Sequence, residues 1–160
     1  MKNLILGIAF SFVLVFGVAS VAYSAPTAGD RSLHGRWTGW AYWHFQGSNE
    51  KCYSNIQFSE STSQITRQQG AVDCDFAGLN MGEVSLQKDG LGNLLFDSEV
   101  VGHYSEFKMD WVESYSPTVN VEVTIELGTS KTNLNYNERW VNLQGEEIYF
   151  IENRLFKSQH

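Results

Sequence analysis

The residues with the most definite chemistry are two cysteines, Cys52 and Cys74. Both lie beyond an N-terminal segment with the layout of an export signal, and in an oxidising compartment an even pair is the pattern of a disulfide rather than of a metal site. Neither sits in a Cys-x-x-Cys motif, which argues against a redox thiol. The bridge would close a 23-residue loop and contribute about 3 kcal/mol by loop entropy. His34, His44 and His103 show no His-x-x-x-His spacing and no adjoining carboxylate cluster, so no metal site is assigned. Glu113, Glu138 and Glu147 are scattered acids whose spacing defines no acid–base pair. Gly90-Leu91-Gly92 lacks the third glycine and the helix that phosphate binding needs, and no Gly-x-Ser-x-Gly is present. These patterns assign no catalytic residue and no cofactor.

The densest cluster is aromatic: Trp37, Trp40, Tyr42, Trp43 and Phe45. On a strand, alternate residues face opposite sides. Trp37, Ala41, Trp43 and Phe45 then form one set, which either fills a core or lines a ligand cavity with rigid walls. Trp40 and Tyr42 form the other, which meets solvent, a partner or a covering loop. Near the C-terminus, Arg154 shares a strand face with Ile148, Phe150, Glu152 and Phe156, while Tyr149, Ile151 and Leu155 share the other. Both faces are apolar enough to point inward. If Glu152 and Arg154 were interior they would have to pair, because an unpaired buried charge is costly.

Strands must carry these residues. Val119 to Leu127 alternates apolar and polar without a miss, the pattern of a strand with one wet face. Period-two faces recur at Cys52, Ser54, Ile56 and Phe58; at Val72, Cys74 and Phe76; at Phe107, Met109 and Trp111; and at Leu134, Tyr136 and Trp140. Turn signals fall at Gly78 to Gly82, Lys88 to Gly92, Ser114 to Pro117, Gly128 to Lys131 and Gln144-Gly145. No helical stripe appears beyond the N-terminal segment. The expectation is an all-β, antiparallel, up-and-down β-barrel of 8–10 strands.

Residues 1–25 read as a secretory signal peptide: Lys2, an apolar run from Leu4 to about Ala19, then small residues Ser20, Ala22, Ser24 and Ala25. Residues 26–32 read as a flexible lead-in and 33–160 as one barrel domain, in a secreted or periplasmic protein with no membrane span once the signal is removed. The whole chain carries a formal charge of −7, and loss of Lys2 makes the mature chain one unit more negative. Such a surface disfavours nucleic acid as a partner.

The opening strand, with Gly35-x-Trp37, followed by a meander and a terminal Arg154-Leu155-Phe156, resembles the calycin superfamily of lipocalins and fatty-acid-binding proteins. That resemblance implies that Trp37 packs across the closed end of the barrel with the Arg154 guanidinium over its ring. Phe156 stands where the fatty-acid-binding pattern has a tyrosine, and the Cys52/Cys74 pair lies elsewhere than the usual lipocalin bridge. Gly35-x-Trp37-x-Gly39 is also similar to the first strand of nitrobindins, haem-binding barrels whose ligating histidine lies in a C-terminal segment beyond the point where this chain ends. The resemblance points to a small hydrophobic molecule bound between the first and last strands, lined by Trp37, Trp43, Phe45, Phe150, Arg154 and Phe156. Two alternatives stand beside it. One is a filled-core interaction module using Trp40 and Tyr42; the other is a lipid-acting isomerase or cyclase.

Overall fold

The computed structural model describes residues 32–158. The signal-peptide assignment and all of the lead-in before Ser32 lie outside the described residues. The strands are β1 (Gly35–Phe45), β2 (Ser48–Glu60), β3 (Gln64–Asp73), β4 (Gly78–Met81), β5 (Val84–Lys88) and β6 (Asn93–Phe96), then β7 (Glu99–Tyr104), β8 (Lys108–Ser116), β9 (Val119–Leu127), β10 (Asn133–Asn142) and β11 (Glu147–Lys157). All pairings are antiparallel, and the described residues contain no helix. The sheet runs β2-β1-β11-β10-β9-β8-β7-β6-β5-β3, and β3 pairs back onto β2, so ten strands form a barrel-like ring. β4 is an eleventh, short strand attached only to Gly70–Asp73 of β3. The sequence marks that stretch, Gly78 to Gly82, as a turn; its alternation is too brief to register.

Alternation decides what fills the ring. Val121, Val123, Ile125 and Leu127 of β9 are all buried, as are Cys52, Ser54, Ile56 and Phe58 of β2. On β11 the inward set is Ile151, Asn153 and Leu155. At one end the ring is sealed. Trp37 is fully buried there and its indole Nε1 donates to the Leu33 carbonyl at 2.8 Å. Leu33 is itself fully buried, and its backbone N–H donates to Glu60 at 2.8 Å. Glu60 also receives Lys88 Nζ at 2.8 Å, with both side chains almost wholly buried. We take this as the closed end.

β1 and β11 lie side by side, as the resemblance implies, in the register Trp37↔Lys157 to His44↔Phe150. The arginine cap is not formed. Arg154 is opposite Trp40, on the outer face, where it pairs with Glu152 at 3.1 Å. The cation near Trp37 is Lys157, whose Nζ lies 5.4 Å from the ring centroid. The reason is parity: Leu155 is buried, so its neighbours Arg154 and Phe156 must point out.

Pairing is uneven around the ring. β1 is bonded along its whole length to β2, and β9 pairs with β10 from Val119 to Leu127. By contrast β5 meets β6 only at Gln87↔Leu95 and Lys88↔Leu94, and β7 meets β8 only from Gly102↔Trp111 to Tyr104↔Met109. All of those contacts are toward the closed end. The β6–β7 hairpin is therefore tied to its neighbours at its base, and its tip, a two-residue turn with Asp97 and Ser98 both at positive φ (50° and 71°), stands away at the open end.

Candidate functional site

Three inward positions that alternation reserves for apolar residues carry charge instead. On β8 the inward series Met109, Trp111 is followed by Glu113; on β10 Leu134, Tyr136 is followed by Glu138 and Trp140; on β3 Ile65 is followed by Arg67. β3 lies across the lumen from β8 and β10, so the three converge. Arg67 Nη2 donates to Glu113 Oε2 at 3.0 Å, and Nη1 lies 3.0 Å from Glu113 Oε1. Nη1 also donates to the Tyr136 hydroxyl at 2.7 Å and to Glu138 Oε1 at 3.4 Å, while Nε donates to the Gly82 carbonyl at 3.1 Å. Each carboxylate is further held by an indole. Trp111 Nε1 donates to Glu113 Oε1 at 2.7 Å, and Trp140 Nε1 donates to Glu138 Oε2 at 3.0 Å. The Tyr136 hydroxyl donates to Glu138 Oε1 at 2.6 Å.

Burial governs the electrostatics. Arg67 and Glu138 are buried, whereas the Glu113 side chain keeps about a fifth of its surface exposed. Burial pulls the Arg67 pKa down, but attraction to the Tyr136 oxygen, Glu113 and Glu138 outweighs it, so the guanidinium stays charged. Burial pushes the Glu138 carboxyl above its ordinary value, against the opposing pull of Arg67 and the hydrogen bonds from Tyr136 and Trp140. The Tyr136 hydroxyl, wholly buried, is raised well above 10.0 and remains a donor. With both carboxylates ionised, the cluster holds one positive and two negative groups.

Above this floor the lumen opens. A cavity of about 210 Å³ is lined by Arg67, Met81, Glu113, Tyr115, Glu138 and Trp140. It adjoins a larger one of about 810 Å³, the two sharing Glu83, Val84, Glu113 and Ser114. The larger cavity lies under the β6–β7 hairpin, where lateral hydrogen bonds lapse, and has Leu86, Val101 and Trp111 on its walls. A ladder of rings runs around the other side of the mouth: Tyr115 to Trp140 at 4.6 Å, Trp140 to Tyr149 at 4.9 Å and Tyr149 to Trp43 at 5.1 Å between centroids. Burial, with the nearby Glu138 and Tyr115, raises the Tyr149 pKa, so its hydroxyl too stays protonated at neutral pH.

The six residues read from the sequence divide by face. Trp37 is inward but sealed in the closed end. Trp43 and Phe45 are inward and line a third cavity of about 440 Å³ at the mouth, beside Ala77, Ile148 and Tyr149. Phe150, Arg154 and Phe156 belong to the outer face, where Phe150 packs on His44 with centroids 5.6 Å apart and Phe156 is exposed. Cys52 and Cys74 are joined in a disulfide, which staples β2 to the loop after β3. Phe76 does not share the inward face of Val72 and Cys74; it projects from that loop almost fully exposed. Sequence reasoning missed Arg67 altogether and left Glu113 and Glu138 unassigned. The available signal was charge at the apolar parity of three separate strands.

Among the described residues no group of three His, Cys, Asp or Glu side chains is placed to hold a metal ion, and no helix is long and apolar enough to cross a membrane. No family model and no curated protein matches the chain. Among solved structures, an S-type phycobiliprotein lyase from Guillardia theta aligns over 80% of this chain and 89% of its own, at 10% identity and a TM-score of 0.49.

Proposed function

We propose that this chain is an exported, lipocalin-like binding protein that takes a small, largely hydrophobic molecule into the open end of its barrel. The observation that carries this reading is the space beneath the β6–β7 hairpin, about 810 Å³ walled by Leu86, Val101 and Trp111 and meeting, at Glu113, the smaller cavity lined by Arg67 and Glu138. Natural ligand pockets have that make-up: mostly apolar walls and a few fixed polar groups. Between the first and last strands Trp37 and Leu33 fill the closed end, and the space left at the mouth, about 440 Å³ beside Trp43, Phe45, Ile148 and Tyr149, is smaller than the one under the hairpin, which we therefore favour.

The test is titration of the purified protein with Nile red, an uncharged dye whose emission shifts in apolar surroundings. Saturable binding at one dye per chain supports the reading. Val101→Trp, which places an indole in the larger cavity, should weaken that binding at least tenfold, equivalent to about 1.4 kcal/mol. Absence of saturable binding to the folded protein would sink it.

A second reading has its own observation. The outer face of β1, β2 and β11 presents Trp40, Tyr53 and Phe156, each about half exposed or more, and clustered exposed aromatics are a common make-up of protein contact surfaces. An unchanged set of co-purifying proteins after Trp40→Ala with Phe156→Ala would remove that reading.

A further inference from the structure

The larger cavity has a marked charge bias. Glu83, Asp97, Glu99 and Glu113 line it, and among the described residues no Lys, Arg or His does. Arg67, which lines the adjoining smaller cavity, has its Nε, Nη1 and Nη2 engaged by Gly82, Tyr136, Glu138 and Glu113. Glu113 stands at the boundary and faces both spaces. Its two oxygens take three donor contacts, from Trp111 and from the two guanidinium nitrogens. A carboxylate offers about four acceptor sites, so one is left over on a residue that lines both cavities. The guanidinium offsets one of the two carboxylates it touches. With both carboxylates ionised, the other is a cost of burial that a positively charged guest would relieve.

Resting on the reading of the mouth as a binding site, we propose that the ligand it selects carries a cationic nitrogen on an apolar body, with the nitrogen hydrogen-bonded to Glu113 and the body against Leu86, Val101 and Trp111. A protonated amine can donate to Glu113 as Trp111 and Arg67 already do, and charge-assisted contacts of this kind are about twice as strong as neutral ones. A carboxylate-bearing molecule of the same body would instead meet Glu83, Asp97, Glu99 and Glu113 at close quarters. The fatty-acid type of recognition, an arginine receiving a ligand carboxylate, is closed off here because Arg67 is already paired.

Three probes with one body and different heads separate these possibilities: 1-octylamine, 1-octanol and octanoate, each competed against Nile red at pH 7. The expected order is amine, alcohol, acid, with the amine at least tenfold tighter than the alcohol. Glu113→Gln should bring the amine to within about threefold of the alcohol. Glu83→Gln, at an exposed rim position, should reduce the amine preference by a smaller factor, and it serves where Glu113→Gln does not fold. If Nile red binds but the amine is no tighter than the alcohol, or octanoate is tightest, the charge selectivity is wrong and the binding reading survives. If Nile red and all three probes fail, both go together.

Discussion

The arc from β8 through β9, β10, β11 and β1 to β2 and the arc from β3 through β5 and β6 to β7 are built by different means. In the first, strands of nine to thirteen residues pair along most of their length, so backbone hydrogen bonds hold the wall. In the second, β5 and β6 are five and four residues long and meet at two positions. What joins this weaker arc to the stronger one is side-chain chemistry across the lumen: Arg67 of β3 reaches Glu113 of β8 and Glu138 of β10 and also holds the Gly82 carbonyl before β5. The lesson is that a ring can open a mouth without losing closure. Lateral bonds are given up on one side at one end, and a buried ionic cluster below the gap keeps the walls in register.

The sharpest way to break that arrangement is Arg67→Ala. It would leave Glu113 and Glu138 facing each other without their shared cation, and removal of one partner from a buried ionic group costs about 3–5 kcal/mol. Urea unfolding at pH 7 measures it. Glu138 supplies the matching pH test. Its folded pKa is raised above the ordinary 4.5, so its stabilising contribution is complete below that value and is lost as pH rises through the raised one. Stability of Glu138→Gln should therefore not show that decline, and the difference between the two proteins should change between pH 4.5 and neutrality. In Arg67→Ala the decline should be larger and reach higher pH, since the guanidinium is the strongest of the influences that hold the Glu138 pKa down.

Next in size is the staple. Cys52 and Cys74 are 22 residues apart in sequence and join β2, the last strand of the strong arc, to the end of β3, the first of the weak one. Reduction should lower stability by about 3 kcal/mol, read as a shift in the urea midpoint. A fully reduced protein with an unchanged midpoint would show that the β2–β3 seam holds without it.

Much of this contrast was legible in the residues and part was not. The perfect alternation of Val119 to Leu127 foretold β9, and the cysteine pair foretold the staple. The inward face of β11 was illegible because its outer face is apolar too: Phe150 packs on His44, and across the neighbouring strands Trp40 lies under Lys51 Nζ at 4.0 Å and edge-on to Tyr53. Outer aromatics that cover one another blunt the polar half of the alternation. The hairpin at Asp97-Ser98 was missed because left-handed turn residues there lack the glycine that usually announces them. The ionic floor was hidden for a different reason. Arg67, Glu113 and Glu138 are far apart in sequence, and only the ring places their strands opposite one another.

A matched pair of glycines, one of which carries the smallest expected effect, sharpens the comparison most directly. An alanine methyl at Gly39 of β1 would run into the Arg154 carbonyl oxygen and lie 3.1 Å from the Leu155 Cα; at Gly102 of β7 it would run into the Asp110 carbonyl oxygen and lie 2.6 Å from the Trp111 Cα. Judged by local crowding alone, Gly102→Ala should be the worse. The pairing argues the reverse. β1 is bonded on both sides along its length and has no direction in which to move, so Gly39→Ala should cost about 3 kcal/mol, the upper end for an overpacked site. β7 meets β8 at three positions next to a gap, and it can swing outward, so Gly102→Ala should cost about 1 kcal/mol, the lower end of the same range. That swing also widens the mouth, which Nile red affinity would register as a change in Gly102→Ala and not in Gly39→Ala. Equal losses of stability at the two sites would mean that both arcs are equally rigid and that the gap beside β7 is no looser than the rest of the wall.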